Sequence, residues 1–176
     1  TCIQVSETTL IDAGNVMSAL GEDAAQIERI FLTHAHLDHI LDIGFFIDHF
    51  FVRRQKPLQI YGLSQTLETL KNHIFNGEVW PDFAQIPLIN SKEFAIQFYP
   101  LELNQAYEAE PGLVMTPVKA YHTVDTCGYL IERGEGATLF GGDSFKNPEM
   151  WELVNRNSKI RSVILDVSFP NRLHTV

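Results

Sequence analysis

Ile30-Phe31-Leu32-Thr33-His34-Ala35-His36-Leu37-Asp38-His39-Ile40 is the stretch on which the reading of this chain turns. Three consecutive apolar residues, Ile30 to Leu32, predict a strand covered on both faces. Downstream, Ile43, Phe46, Ile47, Phe50 and Phe51 recur at helical spacing and make one apolar stripe. The histidines therefore fall on a loop between a buried strand and a buried helix, where polar groups converge on a cleft. An isolated His-x-His is more often structural than metal-binding, but His34, His36, Asp38 and His39 together lie within six positions. In an extended segment His34 and His36 point to one side, so both imidazoles can reach a single ion at ~2.0–2.1 Å. Asp38 and His39, at the turn into the helix, are expected to point elsewhere and to hold a neighbouring ion ~3.5–4 Å away.

Working outward, short apolar runs at residues 2–5 and 9–13 read as two strands around Ser6-Glu7, the second closed by Asp12-Ala13-Gly14. A polar stretch at 23–28 reads as helix. Residues 58–62 read as a strand, followed by a helix capped by Ser64, with Leu67, Leu70 and Ile74 on one face and Gly77 past its end. After a Pro-punctuated segment, further strands are expected near 94–99, 115–120, 128–131 and 137–140. Asn147-Pro148 starts a helix running to about Asn155, and 163–167 reads as a buried strand ending at Ser168-Phe169-Pro170. Strands and helices in two similar halves suggest an α/β protein with two sheets packed face to face and helices outside.

The length of 176 residues suits one globular domain. Thirteen Lys plus Arg against 22 Asp plus Glu give a net charge of −9, so there is no basic surface to gather a phosphate backbone, and long nucleic acid is disfavoured as a partner. An anionic substrate would need positive charge from elsewhere, and metal ions are the obvious source. The longest apolar stretch, residues 44–52, is interrupted by Asp48 and His49 and is too short to span a bilayer. Cys2 and Cys127 form no C-x-x-C pair, which favours a reducing cytoplasm. His49 and His73 read as surface histidines, and Trp80 as a packing residue rather than a base-stacking platform. The start at Thr1 and the end at Val176 suggest a chain incomplete at both ends.

Thr33-His34-Ala35-His36-Leu37-Asp38-His39 resembles the T-H-x-H-x-D-H signature of the metallo-β-lactamase-fold hydrolases. The resemblance implies an αβ/βα sandwich of two mixed sheets with outer helices. It implies that His122, in Tyr121-His122-Thr123-Val124, is the third ligand of the first metal beside His34 and His36. Asp143, in Gly141-Gly142-Asp143-Ser144, is similar to an aspartate bridging two metals; read without the resemblance, it could be a turn residue or a helix N-cap. Asp38 and His39 would then ligate the second metal, with Asp38 also orienting the nucleophile. Further stretches resemble the class II cyclic-nucleotide phosphodiesterases: His36 to Ile40 running into Gly44-Phe45-Phe46, then Phe75-Asn76 with Trp80-Pro81-Asp82-Phe83, and Asp166-Val167-Ser168-Phe169-Pro170-Asn171. The family's last second-metal histidine is expected beyond Val176, His174 lying too close to the Ser-Phe-Pro-Asn run to be preferred.

The resemblance accordingly implies a metal-dependent phosphodiesterase with two divalent ions, zinc first and manganese or iron as alternatives. It would convert a small anionic substrate, a 3′,5′-cyclic nucleotide such as cyclic AMP or cyclic GMP, to a 5′-monophosphate by attack of a metal-activated hydroxide. Another hydrolase of the fold, acting on a thioester, a sulfate ester or an RNA 3′ end, and a metal-holding sensor without turnover are the rival readings. A homodimer in the cytoplasm, bound to no membrane, completes the expectation.

Overall fold

In a computed structural model of the protein, residues 1–167 are described. The chain divides into two compact units, Thr1–Glu102 and Leu103–Val176. Each unit is built on one mixed sheet with helices.

The first unit contains β1 (Ile3–Gln4), β2 (Thr9–Ile11), α1 (Val16–Leu20), β3 (Arg29–Phe31), α2 (Leu37–Ile40), α3 (Asp42–Phe50), β4 (Leu58–Leu63), α4 (Ser64–His73) and β5 (Ile96–Leu101). Its five strands lie in sequence order, with β1 antiparallel to β2 and all later neighbours parallel. Parallel strands favour covered faces, and one face of this sheet is buried against the helices, while β4 alternates buried and half-buried residues. Leu10, Ile30, Leu58, Ile60 and Ile96 join Ile43, Phe46, Ile47 and Phe50 of α3 and Leu67 and Leu70 of α4 in one buried cluster. The apolar stripe read from the sequence is therefore the stripe that α3 buries, except that Phe51 falls in the 3-10 turn after the helix and is only partly buried. Neighbouring strands align Phe31, Tyr61 and Tyr99 in register, and their rings stack at centroid distances of 4.5 and 4.8 Å.

The second unit contains β6 (Tyr107–Glu110), β7 (Leu113–Ala120), β8 (Thr126–Arg133), β9 (Gly136–Phe140), α5 (Pro148–Arg156) and β10 (Ile160–Ile164). Its sheet runs β10-β9-β8-β7-β6, antiparallel except for the β10–β9 pair. Met150, with Leu153 and Val154 beside it, packs α5 onto Val118, Leu130, Ala137 and Leu139. Asn147 caps α5 as its sequence predicts, accepting a hydrogen bond from the Met150 amide at 3.1 Å.

Several expectations are corrected. Residues 23–28 form no α-helix: the α-helix lies earlier, at Val16–Leu20, and Gly21 at φ 54° turns the chain into a 3-10 helix, Gly21–Gln26. Ser64 does not cap α4, because Leu63 holds the extended N-cap conformation and Ser64 is already the first helical residue. The last strand, expected buried at 163–167, is β10 at Ile160–Ile164, and it is largely exposed, Ile164 by 42%. Among the described residues it ends its sheet, beside β9, and its apolar residues do not mark two covered faces. The Ser168-Phe169-Pro170-Asn171 run and His174 lie outside the described residues.

Candidate metal centre

The chain leaves β3 in extended conformation, His36 having φ −65° and ψ 146°, and turns at once into the single turn of α2. This geometry gathers the imidazoles. The rings of His34 and His36 have centroids 4.5 Å apart and those of His34 and His39 are 4.2 Å apart. His39 thus lies closer to His34 than the expected divergence of the two pairs, because α2 folds the chain back within four residues. Asp38 Oδ2 lies 3.3 Å from His39 Nε2, with 72% of the Asp38 side chain exposed, whereas His34 and His39 are buried.

A buried aspartate that sequence reading passed over as a turn residue organises this cluster. Asp12, fully buried at the end of β2, accepts hydrogen bonds from the Thr33 amide at 2.8 Å, the Thr33 hydroxyl at 2.9 Å and His39 Nδ1 at 2.7 Å. Burial pushes the Asp12 carboxyl above its usual range, while the bonds from His39 and Thr33 pull it partly back. The Thr33 hydroxyl also lies 3.0 Å from His34 Nδ1. Since that hydroxyl has one hydrogen and gives it to Asp12, it accepts from His34 Nδ1–H. The bond from His39 lowers the Asp12 carboxyl, as a donated hydrogen does, so His39 carries its hydrogen on Nδ1. Both tautomers then place the ring lone pair on Nε2, the form in which histidine ligates a metal, and the donor set of this loop fits a divalent ion.

The rest of the Asp12-Ala13-Gly14 turn braces the same loop through the backbone. The Ala13 amide donates to the His39 carbonyl at 2.7 Å, and the Ala13 carbonyl accepts from the Asp42 amide at 2.9 Å. A side chain at Gly14 would run into the Asp38 carbonyl, so glycine permits the close approach. The signal available in the sequence was a carboxylate placed directly after an apolar strand.

In the second unit, His122 follows β7 and Asp143 follows β9, and His122 Nε2 stands 4.0 Å from Asp143 Oδ2. Two bonds tie their loops together: the Tyr121 amide donates to Ser144 Oγ at 3.0 Å and the Phe145 amide donates to the Tyr121 carbonyl at 2.7 Å. Asp143 is not a helix N-cap, a place Asn147 takes. Away from these loops, His49 is exposed on α3 with Nε2 3.4 Å from Glu22, and His73 is exposed at the end of α4. Trp80 packs against Gly44 and meets the Phe45 ring at 4.9 Å.

The family model of the class-II cAMP phosphodiesterases matches residues 2–116. A 3′,5′-cyclic-nucleotide phosphodiesterase of Schizosaccharomyces pombe is 38% identical over 65 residues, covering 37% of this chain and 18% of that protein. A Ribonuclease Z of Pyrococcus abyssi is 35% identical over 146 residues, covering 80% of this chain and 44% of that protein. Among solved structures, unliganded yeast PDE1 superposes with a TM-score of 0.73 at 20% identity, over 85% of this chain and 47% of that one. The metallo-β-lactamase fold protein YhfI from Bacillus subtilis superposes with a TM-score of 0.64 at 22% identity, over 84% of this chain and 55% of that one. Two mixed sheets with helices are accordingly a metallo-β-lactamase fold. The chain spans less than half the length of the two curated relatives.

Proposed function

Because the chain belongs to the class-II cAMP phosphodiesterase family, we propose that it hydrolyses a 3′,5′-cyclic nucleotide, cyclic AMP or cyclic GMP, to the 5′-monophosphate. His34, His36 and His122 hold one divalent ion in this reading, and Asp38 and His39 hold a second, with Asp143 shared. Zinc suits these nitrogen and oxygen donors, and manganese or iron are the alternatives. Bound dications would lower the proton affinity of water and offset charge on the phosphoryl oxygens, which answers the objection raised by an acidic protein. Asp12 and Thr33 fix the tautomers of His39 and His34. Asp38, largely exposed, orients the attacking water through its carboxylate. The reaction takes place in the cytoplasm, where Cys2 and Cys127 stay as free thiols; no helix among the described residues is long and apolar enough to cross a membrane.

The observation that carries this reading is the bond network from Asp12 through Thr33 to His34 and His39, which prepares two imidazoles as ligands. Likeness to a Ribonuclease Z over 80% of the chain favours a second reading, hydrolysis at an RNA 3′ end. The test is zinc content together with turnover of cyclic AMP, cyclic GMP and a precursor tRNA by the same preparation. Zinc with cyclic-nucleotide turnover is the expected result. Cleavage of the RNA alone would establish the second reading, and zinc without turnover would make the chain a binding domain.

A further inference from the structure

Arg54 is a buried cation that the metal chemistry leaves unused. Only 7% of it is exposed, yet among the described residues no carboxylate forms an ion pair with it. Its Nε–H donates to the Lys56 carbonyl at 3.2 Å and its Nη1 to the Ile27 carbonyl at 3.1 Å. The guanidinium carbon lies 5.5 Å from the centre of the Phe46 ring. Nη2 has no protein acceptor among the described residues, nor is it sealed from solvent. Desolvation pulls the guanidinium down to about 10, and the Glu28 charge, which forms no ion pair with it, offsets this only in part.

The same side chain lines a cavity of about 190 Å³ in the first unit, together with Ala25, Gln26, Glu28, Arg53, Gln55 and Lys56. The wall carries three cations and one carboxylate. That carboxylate is engaged, Glu28 holding Lys56 at 2.9 Å and Arg29 at 3.3 Å, and Arg53 is held by Glu22 at 3.0 Å. Arg54 feels the Glu28 charge only at a distance and is the one cation of the wall with no ion pair among the described residues. The volume falls below the roughly 300–1,000 Å³ of clefts that take drug-sized ligands, so it suits a small ion better than a nucleotide. A planar guanidinium with an open Nη2 edge is a donor shaped for an oxyanion.

We propose that the cavity bounded by Arg54, Gln26 and Gln55 is a binding site for a phosphate-sized oxyanion, separate from the histidine loop. The proposal is independent of which ester the protein hydrolyses. The anion supplies the direct ion pair that Arg54 lacks, accepting from Nη2, with Arg53 and Lys56 adding long-range attraction from the rim.

The test is a titration of the zinc-loaded chain with inorganic phosphate at constant ionic strength, followed by the Nε–Hε resonance of Arg54 in nitrogen-15 spectra. Parallel titrations use sodium chloride and 5′-AMP, and the histidine ring resonances report separately on phosphate reaching the metal loop. The expected result is a saturable shift at Arg54 with phosphate, absent with chloride and weaker with 5′-AMP. Gln55→Glu, an exposed substitution at the rim, should weaken phosphate binding at Arg54 by roughly tenfold or more through like-charge repulsion and leave zinc content unchanged. Arg54→Met should abolish the site, and Gln55→Glu keeps the test decisive if that variant does not fold. A shift that chloride reproduces, a phosphate affinity unchanged in Gln55→Glu, or tighter binding of 5′-AMP than of phosphate would overturn the proposal.

Discussion

Asp12 occupies a left-handed backbone conformation, φ 57°, that few side chains tolerate, and asparagine is one of them. Asp12→Asn therefore isolates its hydrogen bonding. An amide NH2 turned toward His39 can only donate, so the imidazole must accept on Nδ1 and move its hydrogen to Nε2, where a metal would bind. Zinc affinity should fall by roughly 10–100-fold, the usual cost of losing such a partner, with the far-ultraviolet circular dichroism retained. His36 is a direct candidate ligand and only half-buried, so His36→Ala should abolish cyclic-nucleotide turnover while costing under about 1 kcal/mol of stability. Chemical denaturation and an activity assay on one preparation check the separation; wild-type turnover would remove His36 from the site. Burial pushes the Cys2 thiol up to about 11. The folded state then keeps a proton that the unfolded chain loses from about pH 9, so this group's contribution to stability is present below pH 9 and declines as pH rises through 11. Reaction of Cys2 with a thiol reagent should be slow at pH 8 and accelerate steadily toward pH 11; a rate with its midpoint near pH 9 that levels off above about pH 10 would show an unshifted thiol.

At the scale of elements, the loop between β3 and α2 is held by a second loop, the turn after β2. Gly14→Ala tests that dependence, since the added Cβ meets the Asp38 carbonyl, which is backbone and cannot swing aside. The expected cost is about 1–3 kcal/mol, with zinc affinity lost in parallel. Gly62→Ala is the comparison, its nearest neighbour being Leu67 Cδ2 at an ordinary 3.4 Å, and its urea midpoint should stay near that of the parent. Equal destabilisation by the two would show that the turn is no special support. The same pair of loops shows what a sequence can and cannot disclose. Strand β3, the histidine loop and the stripe of α3 were legible because each is a local pattern with its own period. Asp12 was not, because its partners Thr33 and His39 lie 21 and 27 residues further along and only the parallel pairing of β2 with β3 brings them near. Likewise β6, four residues mixing Tyr107, Ala109 and two glutamates, has little strand signal of its own and exists through its antiparallel pairing with β7. His122 and Asp143 are singled out only by resemblance to a motif, since each is a single polar residue in an ordinary turn.

For the whole molecule, the charge of −9 separates the two readings of its chemistry. A protein that gathers RNA does so by neutralising phosphates with Lys and Arg, and the affinity then falls with salt at a log–log slope of about −0.7 per contacted phosphate on a single strand. With 13 basic residues against 22 acidic ones, and with Arg53, Lys56 and Arg29 already paired with Glu22 and Glu28, the excess of carboxylates works against several such contacts. A cyclic nucleotide carries one phosphate, and its charge would be met by dications rather than by side chains, which leaves little for salt to screen. The KM for cyclic AMP should therefore change by less than about threefold between 50 and 200 mM potassium chloride, equivalent to a slope no steeper than that of one phosphate contact. Binding of a precursor tRNA should be weak at the lower salt and undetectable at the higher. Initial-rate measurements and a filter-binding titration at the two salt concentrations check both halves. Tight RNA binding that survives the higher salt would mean that the acidic total conceals a basic face, and would shift the assignment from a cyclic nucleotide to an RNA 3′ end.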